Sequence, residues 1–203
     1  MSKVLFATLI AASLVAAMTM APLLASAVSA ITGASISTTA TSLSANIQTA
    51  TKIAKNGKDG AFGYGVLNAG DSLMVSTTHA GVLDSVKQGE DASSPVWHNH
   101  YVQLTAGPAE CAGNSNLGGA KLQVQALTFE SPGRVTVTNN AIALLNMPST
   151  FSGTDALTGN PLTLTPGTTA DTVVSFTLHP LFNGPGGTLS NVCVENVAPF
   201  AVS

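Results

Sequence analysis

The chain has 203 residues, of which only 8% are charged, and its formal net charge at pH 7 is −3. Charged residues make up roughly 25% of a typical globular protein, so uncharged polar side chains must cover most of this surface. The seven lysine and arginine residues form no basic patch, which excludes the charged footprint that nucleic-acid binding requires.

The first thirty residues have the layout of a secretory signal peptide. Lys3 supplies a short positive region, an apolar run begins at Val4, and small residues at 25–27 and 28–30 form two cleavage patterns. Pro22 and these small residues favour cleavage over retention as a membrane anchor, and no second apolar run of spanning length follows. We therefore expect an exported mature protein without a membrane span, in the periplasm, at the cell surface or outside the cell.

The remainder of the chain is typical of a β-protein. Residues 31–60 are expected to form a polar leader or an N-terminal strand that ends in a turn. Residues 61–203 contain short alternating runs between Gly, Pro and Asn turns. Strands are predicted at 71–79, 96–105, 121–130, 134–138, 141–147, 172–179 and 189–197. We predict an all-β domain over 61–203, a single antiparallel β-sandwich or small barrel with long loops.

Cys111 and Cys193 are the two cysteines of the chain. An even number of cysteines in an exported domain favours a disulfide over free thiols, and no C-x-x-C spacing points to a metal cluster. We therefore predict a Cys111–Cys193 disulfide that ties the C-terminal strand to the middle of the domain.

Three of the four histidines are placed to bind a metal ion. His98 and His100 are two residues apart in the strand 96–105, so they share its apolar face with Val102. His79 ends the preceding strand on that strand's apolar face. Imidazoles that are buried together need a partner, and a divalent metal ion is the usual one. The sequence therefore predicts a metal site formed by His79, His98 and His100.

Copper or zinc is the expected ion, because imidazole suits both and no carboxylate stands at a fixed spacing that would favour iron. The acidic loop 81–95 offers Asp84, Glu90 and Asp91 as a fourth ligand or a general base, although loop carboxylates more often serve solvation alone. His179 alternates with polar residues and is expected to face outward. The pattern does not decide whether the protein is an enzyme; if it is one, the three-histidine site makes it metal-dependent.

Two other functions fit parts of the sequence. The low charge and the polar segment 31–50 suit a structural subunit that self-assembles in a cell-surface layer or filament by adding a strand to its neighbour. Trp97 and Tyr101 alternate with the histidines and face the other side of the strand, where they could form a platform in a carbohydrate- or partner-binding module, although packing under a loop is the more common role of such residues. The alternative to a metal site is that His98 and His100 are edge-strand residues at a solvated rim and hold no ion.

Overall fold

The computed structural model describes residues 28–57, 60–70, 72–184 and 187–202. Most of the expected signal peptide, residues 1–30, lies outside the described residues. Within them, the strands in chain order are β1 (Ile31–Thr38), β2 (Ser42–Thr49), β3 (Phe62–Asn68), β4 (Leu73–Thr78), β5 (His98–Ala106), β6 (Leu122–Leu127), β7 (Arg134–Thr138), β8 (Ala141–Pro148), β9 (Phe151–Thr154), β10 (Pro161–Leu164), β11 (Ala170–Phe182) and β12 (Leu189–Ala201). Two short 3₁₀ turns, Val86–Gln88 and Ser115–Leu117, interrupt the loops.

Six strands close into an antiparallel barrel in the order β11-β12-β6-β5-β4-β3, and pairing of β3 with β11 completes the ring. The prediction of an all-β fold with a small barrel and long loops is thus confirmed. No described helix is long and apolar enough to cross a membrane.

A four-stranded antiparallel sheet, ordered β1-β2-β8-β7, lies beside the barrel, and β9 and β10 form a separate hairpin. Residues 31–49 therefore contribute two strands, and β2 pairs directly with β8, which is distant in the sequence. β1 and β7 are the edge strands of this sheet.

The barrel wall separates two apolar cores. On β4, Val75 packs inside the barrel while Met74 packs toward the flanking sheet, as period-two alternation requires. The inner core consists of Val75, Val102, Leu127, Val174, Phe176, Val194 and Val197. The outer core joins the barrel to buried residues of β2 and β8 such as Leu43, Ile47, Ile142 and Leu144. Several barrel strands are consequently buried on both faces.

Strand β3, which the sequence analysis did not identify, shows how the two cores share one strand. Phe62, Tyr64 and Val66 face the outer core, and the glycines between them face the barrel interior. A Cβ atom on Gly63 would lie 2.6 Å from Cζ of Phe176, closer than nonbonded carbon atoms approach. Glycine is therefore required at this position so that the Phe176 ring can lie against the wall.

The predicted disulfide is confirmed. Cys111, in the loop between β5 and β6, is bonded to Cys193 of β12, and their Cα atoms are 5.4 Å apart. Both residues are buried. Because the bond closes a loop with a sequence separation of 82, the chain-entropy relation assigns it about 4–5 kcal/mol of stability.

Candidate metal centre

The histidines enter the barrel through the pairing of β4 with β5. His98 lies opposite Thr77 and His100 lies opposite Val75, while His79 directly follows the end of β4. Val75 and Val102 belong to the inner core, so the same alternation turns both β5 imidazoles inward. His79, His98 and His100 are 5%, 0% and 1% exposed. These three histidines are therefore not surface residues at a solvated rim.

The loop between β4 and β5, residues 79–97, brings a carboxylate to the same place. Asp84 points its side chain at the three imidazoles, and each approaches with its Nε2 atom. The distances are 3.1 Å from Asp84 Oδ2 to His79, 3.2 Å from Oδ1 to His98 and 3.7 Å from Oδ1 to His100. One carboxylate therefore lies at the centre of all three predicted site residues.

The spacing of these atoms suits a small ion. The ligand atoms of His79, Asp84 and His98 all lie within 4.8 Å of one another. Donors around a tetrahedral ion with bonds of 2.0–2.1 Å are about 3.3 Å apart, close to the two shorter contacts. His100 lies at the edge of this group, its ring centroid 4.8 Å from that of His98. The buried cluster of two histidines and one aspartate could hold a metal ion.

Backbone carbonyls fix the protonation of two imidazoles. Nδ1 of His98 lies 2.7 Å from the carbonyl oxygen of Val96, and Nδ1 of His100 lies 2.6 Å from that of Thr128. A carbonyl oxygen only accepts hydrogen bonds, so both Nδ1 atoms must carry the proton. In the neutral rings Nε2 then presents a lone pair. The same second-sphere arrangement orients metal-binding histidines in general.

The lone pairs consequently face a carboxylate, an arrangement that is repulsive without a positive charge between them. The Thr77 hydroxyl, 3.1 Å from Nε2 of His98, can donate to one of these nitrogens. Among the described residues, Asp84 Oδ1 and His100 Nε2 are buried and have no aligned hydrogen-bond partner. Buried polar atoms of this kind are rare in folded proteins, and either added protons or a bound cation would satisfy them.

Electrostatics keep the carboxylate charged and one ring neutral. Burial alone would raise the pKa of Asp84, but positive charge on His100 and hydrogen bonds donated by the three imidazoles when Nε2 carries a proton hold that pKa well below its usual value. Burial lowers the pKa of His98, and the contact with Asp84 offsets this in part. An ionised carboxylate beside a neutral imidazole is the state in which both groups bind metal.

The other carboxylates of the loop lie elsewhere. Glu90 and Asp91 are exposed, and Asp91 accepts a hydrogen bond from the backbone of Ser93. Asp84 was thus one of three equal candidates, and nothing in its immediate sequence distinguished it. The Val86–Gln88 turn ends in Gln88, whose side-chain oxygen accepts a hydrogen bond from the backbone N–H of Asp84 and so holds Asp84 near the site.

His179 faces outward, as predicted. Its side chain is 54% exposed, and its Nδ1 lies 3.4 Å from Glu195 Oε1. These two residues and Cys193 also bring ligand atoms together. The Cys193 sulfur is committed to the disulfide, so this second group lacks the thiolate it would need to bind a metal.

Trp97 and Tyr101 do not form an exposed platform. Tyr101 is fully buried, and its hydroxyl donates a hydrogen bond to the carbonyl of Pro148. Trp97 packs edge-on against Phe62 and donates from Nε1 to the carbonyl of Ala54. Both aromatic residues join the outer core, so the carbohydrate-binding hypothesis loses the surface on which it depended.

Comparison with known proteins found no matching family model, and neither a curated protein nor a solved structure matches the chain. Function must therefore be inferred from the geometry of the site.

Proposed function

We propose that this protein binds one divalent transition-metal ion with His79, Asp84 and His98, and that His100 completes the site. The observation that supports the proposal is the convergence of three imidazole Nε2 atoms on one carboxylate inside a barrel, an arrangement that is repulsive when the rings present lone pairs. A cation turns this repulsive arrangement into four favourable contacts. Four protein donors would make a closed site, which is typical of ion binding more than of catalysis.

Zinc and copper remain the preferred ions for a set of neutral imidazoles with one carboxylate. The preference for copper or zinc over iron rested on the lack of a carboxylate at a fixed spacing in the sequence. The loop nevertheless brings Asp84 within 3.2 Å of two of the histidines. Two histidines with one carboxylate is also a donor set of iron(II) sites, so iron(II) must be included in any test.

The test is metal binding by the mature, disulfide-bonded chain. Protein stripped with a chelator is titrated with Zn²⁺, Cu²⁺ and anaerobic Fe²⁺, and the bound metal is measured by elemental analysis. We expect one equivalent of at least one ion. His98→Ala and Asp84→Asn should each weaken binding by about 100-fold or more, since fewer donors remain.

His179→Ala is the matched control, because it removes an imidazole from the outside of the same barrel. It should leave the affinity unchanged. Stoichiometry below a tenth of an equivalent for all three ions would refute the proposal, as would equal losses for His179→Ala and His98→Ala.

The proposed location is extracytoplasmic. A buried disulfide between distant segments is favoured in oxidising compartments and is rare in the cytosol. This location also agrees with the leader expected from the sequence.

A second candidate function is self-assembly through a strand edge. β1 has the sequence Ile-Thr-Gly-Ala-Ser-Ile-Ser-Thr, without a charged residue, and among the described strands it pairs with β2 alone. Uncharged edge strands are templates for strand addition. Ser35→Lys on β1 should then dissociate any oligomer seen by analytical ultracentrifugation. A wild-type protein that is monomeric at every concentration would contradict this function.

A further inference from the structure

The interior of the barrel contains a cavity of about 140 Å³. The inward-facing side chains are largely valines and leucines, and β3 contributes glycines, so the strands do not fill the space between them. Protein interiors are otherwise packed with few voids larger than a water molecule. A void of this size in so small a barrel therefore requires an explanation.

Chemically, the cavity has one polar end and an apolar remainder. Thr77, Asp84 and His100 are the polar residues that line it, and the other lining residues are apolar. An apolar cavity of about 150 Å³ stays dry and accepts benzene or xenon. Water is therefore poorly suited to this space, whereas a hydrocarbon group of similar size would fit it.

The cavity also has an outlet. Leu117 and Leu157 line it and are nevertheless 38% and 41% exposed. Both lie outside the barrel strands, Leu117 at the end of a 3₁₀ turn and Leu157 in a loop, so access past them does not require barrel hydrogen bonds to break. The large leucine side chains at the opening favour an apolar ligand over a charged one.

At the polar end, His100 determines which polar group a bound ligand would carry. Its Nδ1 is bound to the Thr128 carbonyl, and its buried Nε2 has no aligned partner among the described residues. In the neutral ring that nitrogen accepts a hydrogen bond. A hydroxyl group at the end of an apolar molecule would donate to it.

We propose that the barrel binds a small apolar molecule that carries one hydroxyl group, about the size of a phenol, with its hydroxyl at His100 and its hydrocarbon part among the barrel valines. This site shares His100 with the proposed metal centre but does not require the ion. When His100 binds an ion, its Nε2 atom can no longer accept a hydrogen bond, so the metal-loaded protein should lose its preference for the hydroxyl.

The probes are 4-fluorophenol and fluorobenzene, which differ by the hydroxyl group alone. Each is titrated into the metal-free, disulfide-bonded mature chain and followed by ¹⁹F NMR, and the series is repeated after metal loading. We expect both to bind saturably to the metal-free protein. The phenol should bind up to about tenfold more tightly, which is the effect of one hydrogen bond. His100→Leu should abolish this preference and leave fluorobenzene binding in place.

Filling the cavity is the decisive test. Val124→Phe and Leu104→Phe add a ring to lining residues and should weaken both probes by at least about tenfold. Val137→Phe makes the matched change on β7, outside the barrel, and should have no effect. Near-UV circular dichroism identifies the variants that are folded.

The proposal is overturned if neither probe saturates on the wild-type protein, or if the folded filling variants bind as well as the wild type. A phenol preference that survives His100→Leu would overturn the assignment of the polar end. Metal binding can fail while these probes bind, and the reverse also holds, so the two proposals are tested separately.

Discussion

The side chain of Gln88 holds the backbone of Asp84 in place. Its Oε1 accepts a hydrogen bond of 3.0 Å from the backbone N–H of Asp84, and its Nε2 donates to the carbonyls of Val82 and Ser94. Gln88 is buried, so water cannot replace these bonds. One amide thus braces both sides of the loop that presents the carboxylate.

We expect Gln88→Leu to weaken metal binding by about 10-fold to 100-fold, the usual effect of losing a group that orients a ligand. All the proposed ligands remain in this variant, and only the hydrogen bonds that hold the backbone of Asp84 in place are lost. Gln48→Leu makes the same change at an exposed site on β2 and serves as the control. Competition titration measures the metal affinity of both variants. Equal affinities would show that the hydrogen bonds of Gln88 are not needed to position Asp84.

The metal-free protein should lose stability as the pH falls from 7 to 4. Burial lowers the pKa of His98 below its usual 6.5. Between the lowered pKa and 6.5, His98 is protonated in the unfolded chain and neutral in the folded chain, so lowering the pH favours unfolding. The pKa of Asp84 also lies well below its usual 3.8, so stability falls with pH at lower pH as well. Urea unfolding at several pH values measures the slope. His98→Leu should flatten it near pH 6, and a slope of opposite sign would refute this account.

Gly63→Ala should destabilise the fold by about 1–3 kcal/mol, the usual cost of overpacking. The new methyl group would meet the Phe176 ring and the Ser76 carbonyl at 2.6 Å. Gly33→Ala, on edge strand β1, has no such neighbour within 3.7 Å and should cost little. Denaturant midpoints compare the two variants, and equal effects would mean that β3 tolerates a side chain toward the interior.

Replacing Cys111 and Cys193 by serine should lower the free energy of unfolding by roughly 4–5 kcal/mol, because the unfolded chain regains the freedom of a long loop. Non-reducing peptide mapping of the native protein should recover the two cysteines in one linked pair. Freely alkylated thiols in the native protein would contradict the bond.

Export predicts a mature N-terminus shortly after Ala27 or Ala30, which intact-mass spectrometry of the protein from its producing cell can read. A retained Met1 would contradict cleavage. Recovery from the cytosol alone would contradict export and, with it, the location proposed for the metal site.

Alternation predicted the parts of the site that lie on strands. His98 and His100 share a face because strand side chains repeat every two residues, and Val102 identifies that face as the inner one. The same rule gave the outward orientation of His179. It also placed Trp97 and Tyr101 on the opposite face, but the expectation that this face is exposed was wrong, because β5 is buried on both faces and its outer face packs into a second core.

Asp84 and β3 could not be predicted with the same means. Asp84 depends on the path of a loop that the buried side chain of Gln88 shapes, and such contacts have no period in the sequence. β3 alternates large residues with glycine, and glycine carries little strand propensity. Its role becomes visible only when Phe176, more than a hundred residues later, occupies the space the glycines leave.

The anchoring of the proposed ligands has a kinetic consequence. His98 and His100 lie on a strand that is hydrogen-bonded on both sides and buried on both faces, whereas Asp84 lies on a loop. Loops open at far lower free energy than core strands do. Exchange of an ion would therefore proceed by departure of the Asp84 loop from a rigid imidazole frame, and its rate would report the opening frequency of that loop rather than the unfolding rate of the barrel.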